Sequence, residues 1–312
     1  MTQILLDMLV TGLPLVPVFL GIYTVFRLRA DFDLTVEGSF VLGGAVCALT
    51  LVHGWPSWLA LLAGTAGAAA AGGVTALIHL LLRVPVLLAG LVMSIGLFSV
   101  NLHVLDTPTL SLGTVGTLFS GFGSLSGRQA DLATSGVMAG VVAAVLVAFG
   151  LFLRTELGLA LRATGVNARM ARSQGVNDRR LTVLALVLAN GLAGLGASLA
   201  VQYQGYADVN MGGGTFVAGV GAVLLGELFV RPSGSKLVRI VGCVLVGTLA
   251  YRLVLVTALR VGLPAGDLRG VTALTLLVAI AAERYLGALG GLTRMLARNA
   301  RSATTPARQE AA

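Results

Sequence analysis

Residues 38–82 read GSFVLGGAVCALTLVHGWPSWLALLAGTAGAAAAGGVTALIHLLL and contain no Asp, Glu, Lys or Arg. One membrane-spanning helix needs about 20 apolar residues, so this stretch is long enough for two crossings. The sequence Gly54-Trp55-Pro56 interrupts it near the middle, where Gly and Pro favour a turn. The stretch therefore predicts two helices that cross a membrane and are joined by a short turn.

The composition of the whole chain agrees with a membrane protein. Only 11% of the 312 residues are charged, 56% are apolar, and the mean hydropathy is +0.93. A soluble domain has about 25% charged residues, so lipid is expected to cover much of this surface. The 42 Gly residues favour close approach of helices within lipid. We attribute the net charge of +8 to cytoplasmic loops and expect no nucleic acid partner.

Further uncharged runs extend this pattern to an all-α polytopic protein with about nine transmembrane helices. The first apolar run has no basic segment at its start and no small-residue cleavage site, which favours a retained span over a signal peptide. The segment 107–129 is rich in Gly, Ser and Thr and is expected to form a long outer loop. The predicted spans are 12–26, two within 38–82, 84–105, 132–153, one within 181–207, 209–226, 237–259 and about 268–282.

Basic residues predict the orientation of these spans. The loop 154–180 carries six Arg, and if it is cytoplasmic then eleven more Lys and Arg fall on the same side. Such an excess is typical of cytoplasmic loops. We therefore expect a multi-pass inner-membrane protein with its N-terminus outside and its C-terminus, including a tail at 291–312, in the cytoplasm. The four basic residues left over are Arg128, Arg252, Arg260 and Arg269. Arg252 lies within a span, where it is a candidate functional residue, and snorkelling of its side chain to the outer surface is the alternative.

Two stretches of the chain resemble each other. Residues 33–46 read DLTVEGSFVLGGAV and residues 208–223 read DVNMGGGTFVAGVGAV, with an Asp, then Ser or Thr before Phe-Val, then small residues. The span 132–153 lies between them and would invert the second copy. The sequence thus predicts inverted repeats at about 9–105 and 181–283, which are typical of transporters. A chance likeness of Gly-rich helices is the alternative.

Polar residues within or beside the spans are candidates for a substrate path, because such residues are costly in lipid. Asp33 and Asp208 each precede a predicted helix, where a carboxylate can instead cap free backbone N–H groups. A lone Asn or Gln in a span can also serve as a hydrogen bond between helices. The candidates for the substrate path are Asp33, Thr35, Glu37, Ser39, Asn101, Gln202, Asp208, Asn210 and Thr215.

No catalytic or metal-binding constellation is recognisable in the sequence. His53, His79 and His103 are isolated, and Cys47 and Cys243 stand far apart in apolar runs, which favours core positions over a disulfide. No phosphate-binding loop of the Gly-x-x-x-x-Gly-Lys-Ser/Thr type is present. We therefore expect no enzymatic activity, no cofactor and no metal, and ATP-driven transport would need a separate ATPase.

The basic loop 154–180 contains a predicted short helix at Asn167–Gln174. Asn167 is a plausible N-cap, and Gly175 is a plausible C-cap. A short basic helix between two spans can lie along the membrane and insert into a partner. The alternative is an ordinary loop whose charge only fixes the topology.

The pattern of this loop resembles the coupling-helix loop of ABC importer permeases of the branched-chain amino acid and ribose type. The resemblance covers nearly the whole chain, and within that superfamily the segments 33–40, 88–93 and 202–212 look like permeases of tryptophan/tyrosine-type uptake systems. The loop residues that carry the resemblance are Gly158, Ala160, Arg162, Ala163, Gly165, Asn167, Ala171 and Gly175.

The resemblance implies a single permease domain at residues 1–290 that carries a small organic solute, an aromatic or hydrophobic amino acid. It also implies three kinds of protein partner: cytoplasmic ATP-binding-cassette ATPases, an extracytoplasmic solute-binding protein, and a second permease copy in a homo- or heterodimer. An ion-gradient-driven transporter or channel, with the carboxylates as ion sites, is the alternative. The residues implied in coupling to the ATPase are Arg162, Gly165, Asn167, Ala171, Gln174 and Gly175.

Overall fold

The computed structural model describes residues 2–122, 127–230 and 237–284. The tail predicted at 291–312 lies outside the described residues. Residues 268–284 are helical and are named α12. A π-helical turn at Thr24–Arg29 follows the second helix. The other helices are α1 (Thr2–Gly12), α2 (Leu15–Tyr23), α3 (Thr35–Val52), α4 (Ser57–Leu82), α5 (Val86–Leu105), α6 (Arg128–Phe152), α7 (Glu156–Val166), α8 (Ala168–Ser173), α9 (Asp178–Gln204), α10 (Thr215–Phe229) and α11 (Leu237–Arg260).

The all-α polytopic architecture is confirmed. Among the described residues, six helices are long and apolar enough to cross a membrane, namely α3, α4, α5, α6, α9 and α11. A seventh is added if α1 and α2, which are bent by 53° with respect to each other, form one broken span. The apolar helix α10 has 15 residues and is shorter than these. The count of nine and the inverted relation of the two repeats therefore stay predictions.

The first span differs from its prediction of a single run at 12–26. Its helices begin at Thr2 and break between Gly12 and Leu15, where Pro14 removes a backbone donor. Asp7 lies within α1, and its Oδ2 accepts a hydrogen bond of 2.5 Å from Arg260 Nη2, at the end of α11. The uncharged run missed this start because the helix includes a charged residue.

The predicted seventh span and outer loop also need correction. Helix α10 begins at Thr215 rather than near 209, since residues 206–208 form a strand and 209–214 form turns. The strand β2 (Tyr206–Asp208) pairs antiparallel with β1 (Thr109–Ser111), which lies in the predicted outer loop. That loop further contains a 3₁₀ turn at Ser120–Phe122, and α6 already begins at Arg128.

Helix α9 lies at the centre and packs against α2, α3 and α4. Small residues allow this, as the sequence predicted. A Cβ atom added to Gly43 of α3 would lie closer than 3.0 Å to the backbone of Gly194 in α9. The backbones of the two helices therefore touch at this crossing, a packing mode typical of membrane helices.

Contacts between distant segments define the two ends of the bundle. At one end, here called the strand end, β1 pairs with β2, and Gln202 Nε2 donates to the backbone oxygen of Ser57 at 3.0 Å. At the other end, here called the loop end, α7 packs against the π-helical turn. There, Arg29 Nη1 donates to Asp178 Oδ1 at 2.7 Å. The basic loop 154–180 therefore lies opposite the two strands.

Candidate functional site

A cavity of about 540 Å³ lies among α1, α2, α9, α10, α11 and α12. Its size is within the usual range for sites that bind small molecules. Most of its wall is apolar, and the polar side chains are few. The polar and aromatic residues that line it are Thr11, Phe19, Phe40, Tyr203, Gln204, Thr215, Tyr251, Arg252, Arg269 and Thr272.

Two aromatic rings on facing helices form part of this wall. The centroids of Phe19 and Tyr251 are 5.9 Å apart with an interplanar angle of 70°, an edge-to-face arrangement. The Tyr251 hydroxyl shares a hydrogen bond of 2.9 Å with Thr272 Oγ1. That bond satisfies the hydroxyl and fixes the ring, and both rings are buried behind the cavity wall.

Arg252 places a cation at the same wall. It lies on α11, and its Nε donates to Thr11 Oγ1 at 2.8 Å. None of the ion pairs found among the described residues includes Arg252. Its guanidinium therefore has N–H donors that a solute in the cavity could use.

A smaller cavity of about 170 Å³ adjoins the start of α10 and contains three predicted path residues, Glu37, Asn101 and Asn210. Glu37 Oε1 accepts from the backbone N–H groups of Gly214 at 3.1 Å and of Phe216 at 3.4 Å. A carboxylate of α3 thereby stabilises the N-terminus of α10. This contact connects the two predicted repeats. Arg269 lines both cavities.

Asp33 is fully buried and lines neither cavity. Its Oδ1 accepts from the Thr35 backbone N–H at 2.9 Å, and its Oδ2 accepts from Asn190 Nδ2 at 2.7 Å. Burial raises the pKa of the Asp33 carboxyl above its usual range, and these hydrogen bonds act in the opposite direction. These hydrogen bonds hold the start of α3 against the middle of α9.

The remaining path candidates are dispersed. Thr35 is buried against Thr75, with 2.8 Å between their Oγ1 atoms, and Ser39 is also buried. Gln202 binds backbone groups at the strand end. Asp208 accepts from Thr109 Oγ1 at 2.5 Å within the strand pair, and Thr215 is the one candidate that lines the larger cavity. Asp33 and Asp208, which looked alike in sequence, thus have different surroundings.

The sequence did not single out the aromatic residues that line the larger cavity, whereas it marked Arg252 as a charged candidate within a span. These aromatic residues lie on α2, α3, α9 and α11, and apolar spans contain many residues of this kind. The one available signal was Arg252 itself, a cation within a span about two turns before the end of α11.

The short helix predicted at the loop end is α8 (Ala168–Ser173). Asn167 Oδ1 accepts from the Met170 backbone N–H at 3.0 Å and caps it. The following Gly175 has φ +82°, a left-handed conformation that favours glycine. Two apolar side chains beside the cap are exposed, Val166 by 89% and Met170 by 54%. The tip of the loop therefore combines apolar surface with basic residues.

The loop also contacts the end of the first span. A Cβ atom on Gly165 of α7 would lie closer than 3.0 Å to the backbone oxygen of Leu28, a separation that real Cβ atoms do not show. One residue before Leu28 in the same π-helical turn, Arg27 Nε donates to Glu227 Oε1 of α10 at 2.7 Å. Arg27 also reaches Glu283 of α12 at 3.2 Å. The loop thus touches a turn that is bonded to α10 and α12.

Comparisons with known proteins place these features in a family context. Residues 4–292 match the family described as "Branched-chain amino acid transport system / permease component". The tyrosine transport system permease protein of Clostridioides difficile is 28% identical over 262 residues, which cover 84% of this chain and 85% of that protein. An uncharacterized protein of Rickettsia prowazekii is 30% identical over 285 residues, covering 90% and 98%. The ribose import permease protein of Escherichia coli is 28% identical over 229 residues, covering 72% and 70%. No solved structure matches the chain.

Proposed function

The chain belongs to the family of permease components of branched-chain amino acid transport systems, and from this premise we propose that it carries an aromatic or other hydrophobic amino acid across the membrane. As a member of this family it is a multi-pass ABC transporter permease. The observation that carries the choice of solute is the cavity with aromatic residues and two arginines, Arg252 and Arg269, neither of which forms an ion pair among the described residues. The name of the Clostridioides difficile relative, a tyrosine transport permease, supports the same class of solute.

In the proposed topology, nine spans form two inverted repeats. The bent pair α1–α2 is the first span, α10 is the short seventh, and α12 is the ninth. The N-terminus lies outside and the C-terminus in the cytoplasm. This topology is supported by the basic loop at the loop end and by the strand pair at the opposite end, which would then face the outside. The short α10 is consistent with a helix that begins within the membrane beside the solute.

The proposed assembly contains two permease copies, two cytoplasmic ATPases and an extracytoplasmic binding protein. Helix α8 is the coupling helix, and Val166 and Met170 supply apolar surface to a cleft of the ATPase. Closure of the ATPase dimer would move α7 and α8. The contact between Gly165 and Leu28 would pass this motion to the π-helical turn, and Arg27 would pass it to α10 through Glu227. The predicted coupling residues Arg162, Asn167, Ala171 and Gln174 belong to this same loop.

Co-purification is the experiment that tests this function. The full-length chain, expressed from its native genetic background, is expected to retain an ATPase in stoichiometric amount. Uptake of solute into liposomes that contain this chain alone, without ATP and driven by an ion gradient, would instead support the secondary transporter or channel.

The substitution Val166→Asp is expected to lower the retained ATPase about tenfold, because it would bury an unpaired charge in the interface. Densitometry of the co-purified ATPase measures the effect. Val261→Asp is the matched control, since Val261 is 79% exposed beyond the far end of α11. Equal retention of the ATPase by the two variants would contradict the docking of this loop.

A further inference from the structure

Arg252 lies within a span and differs there from the cations that form ion pairs near the ends of the bundle. The strand-end cation Arg260 pairs with Asp7 at 2.5 Å, and the loop-end cations Arg27 and Arg29 pair with Glu227 and Asp178. Arg252 contacts the neutral hydroxyl of Thr11 instead, and it takes part in none of the ion pairs among the described residues.

A cation in this position is costly unless an anion binds it. Arg252 lies about two turns before the end of α11, at a depth of about 12 Å along the helix from Arg260. Ionisable side chains within spans are rare and face a cavity or a partner, and Arg252 lines the larger cavity. Arg269, the other cation at this wall, is exposed and also lines the smaller cavity that holds the Glu37 carboxylate. Arg252 is therefore the cation best placed for an anionic group of a solute.

The surroundings of Arg252 indicate what else such a solute carries. The preceding residue Tyr251 turns its ring towards Phe19 and satisfies its hydroxyl with Thr272. The wall beside the guanidinium is thus apolar and is backed by these aromatic rings. A planar guanidinium binds a carboxylate through two parallel hydrogen bonds, and aromatic residues in the cavity wall favour a solute that carries an aromatic ring. A neutral sugar would leave the cation without a counter-charge.

We propose that Arg252 binds the carboxylate of the transported solute and that Tyr203, which lines the same cavity and is 36% exposed, contacts its ring. This assignment rests on the proposed function for the class of solute, but it is independent of the partner ATPase. Arg252 is then a specificity-determining residue that selects aromatic amino acids over their amines and over sugars.

Equilibrium binding of radiolabelled L-tyrosine to the full-length chain in lipid nanodiscs tests the assignment. The variants are Arg252→Gln, Arg252→Lys and, as a matched control on the same helix, Arg260→Gln. Unlabelled tyramine, which lacks the carboxylate, and ribose are the competitors. Melting temperatures of all variants in the same nanodiscs report on folding.

L-tyrosine is expected to bind the wild type and R260Q alike, and R252Q should weaken binding by about ten- to hundredfold, the range for a lost bond to a charged group. R252K should restore part of the affinity at an unchanged melting temperature. Tyramine and ribose should not compete. Absence of L-tyrosine binding by the wild type, equal binding by R252Q, or competition by tyramine overturns the assignment. None of these results affects the co-purification of the ATPase. A failure of the Arg252 assignment can therefore be distinguished from a failure of the permease function.

Discussion

Gly165→Ala is expected to uncouple ATP hydrolysis from transport. The added methyl group would meet the Leu28 carbonyl oxygen at less than 3.0 Å, and both atoms sit on helical backbone. Helix α7 must therefore move away from the π-helical turn, at a cost of about 1–3 kcal/mol for such overpacking. Uptake by the reconstituted complex should fall by about tenfold or more, while ATP hydrolysis by the retained ATPase continues.

Gly150→Ala is the matched control for this prediction. Gly150 lies near the end of α6, just before the same loop, and no heavy atom stands within 4 Å of the position that a Cβ atom would take. Alanine is the better helix former, so this substitution adds no clash and no backbone strain. G150A should therefore keep most of the uptake. Normal uptake by G165A, or an equal loss in both variants, would exclude the contact between α7 and the π-helical turn as the path of coupling.

The sequence alone could not separate Gly165, whose added Cβ atom would meet Leu28, from Gly175, whose added Cβ atom would meet nothing within 4 Å. Both were expected to act in coupling because they belong to one motif, and their spacing says nothing of what each backbone touches. The π-helical turn that Gly165 contacts lies in another segment, more than a hundred residues earlier in the chain. Contacts of this kind depend on tertiary packing, whereas the capped helix at Asn167 depends on local hydrogen bonds and could be predicted.

The same distinction holds for the spans. Uncharged runs located α3, α4, α5, α6 and α9 because lipid excludes unpaired charges wherever a helix is exposed to it. The start of α1 was missed because the helix includes the charged residue Asp7, whose contact with Arg260 no local pattern reveals. The start of α10 was misplaced because Glu37, from a distant helix, stabilises its first turn.

The two similar stretches of the chain do not form similar sites. The stretches that begin with Asp33 and Asp208 are similar, yet one carboxylate is buried between α3 and α9 and the other lies in the strand pair. Similar residues therefore do not share a role in the two repeats. The cavity instead is lined by residues such as Phe19 and Tyr251, which approach each other only in the folded chain.

Asp33→Ala is expected to be among the most destabilising single substitutions in this chain. It would leave the Thr35 N–H and one N–H of Asn190 without their acceptor in a fully buried position, which costs about 1–3 kcal/mol for each donor. A loss of about 3 kcal/mol in the free energy of unfolding is expected, measured by denaturation of the purified protein in mixed micelles. Asp208→Ala is the control, because Asp208 is only partly buried in the strand pair.

Asp33→Asn separates a structural role from an ion site. The Asn oxygen can still accept from the Thr35 N–H. Its amide group can donate to the Asn190 oxygen if the Asn190 side chain rotates, at the cost of the hydrogen bond of 2.8 Å from Asn190 Nδ2 to the Leu186 oxygen. ATP-driven uptake by D33N should therefore stay within about threefold of wild type, and stability should exceed that of D33A. In an ion-driven transporter the same substitution removes the charge that binds the ion, so uptake would be abolished at normal stability. D33N preserves the shape of the side chain and removes only its charge. This measurement therefore discriminates between an ATP-driven permease, in which Asp33 holds α3 against α9, and a carrier that uses Asp33 to bind its coupling ion.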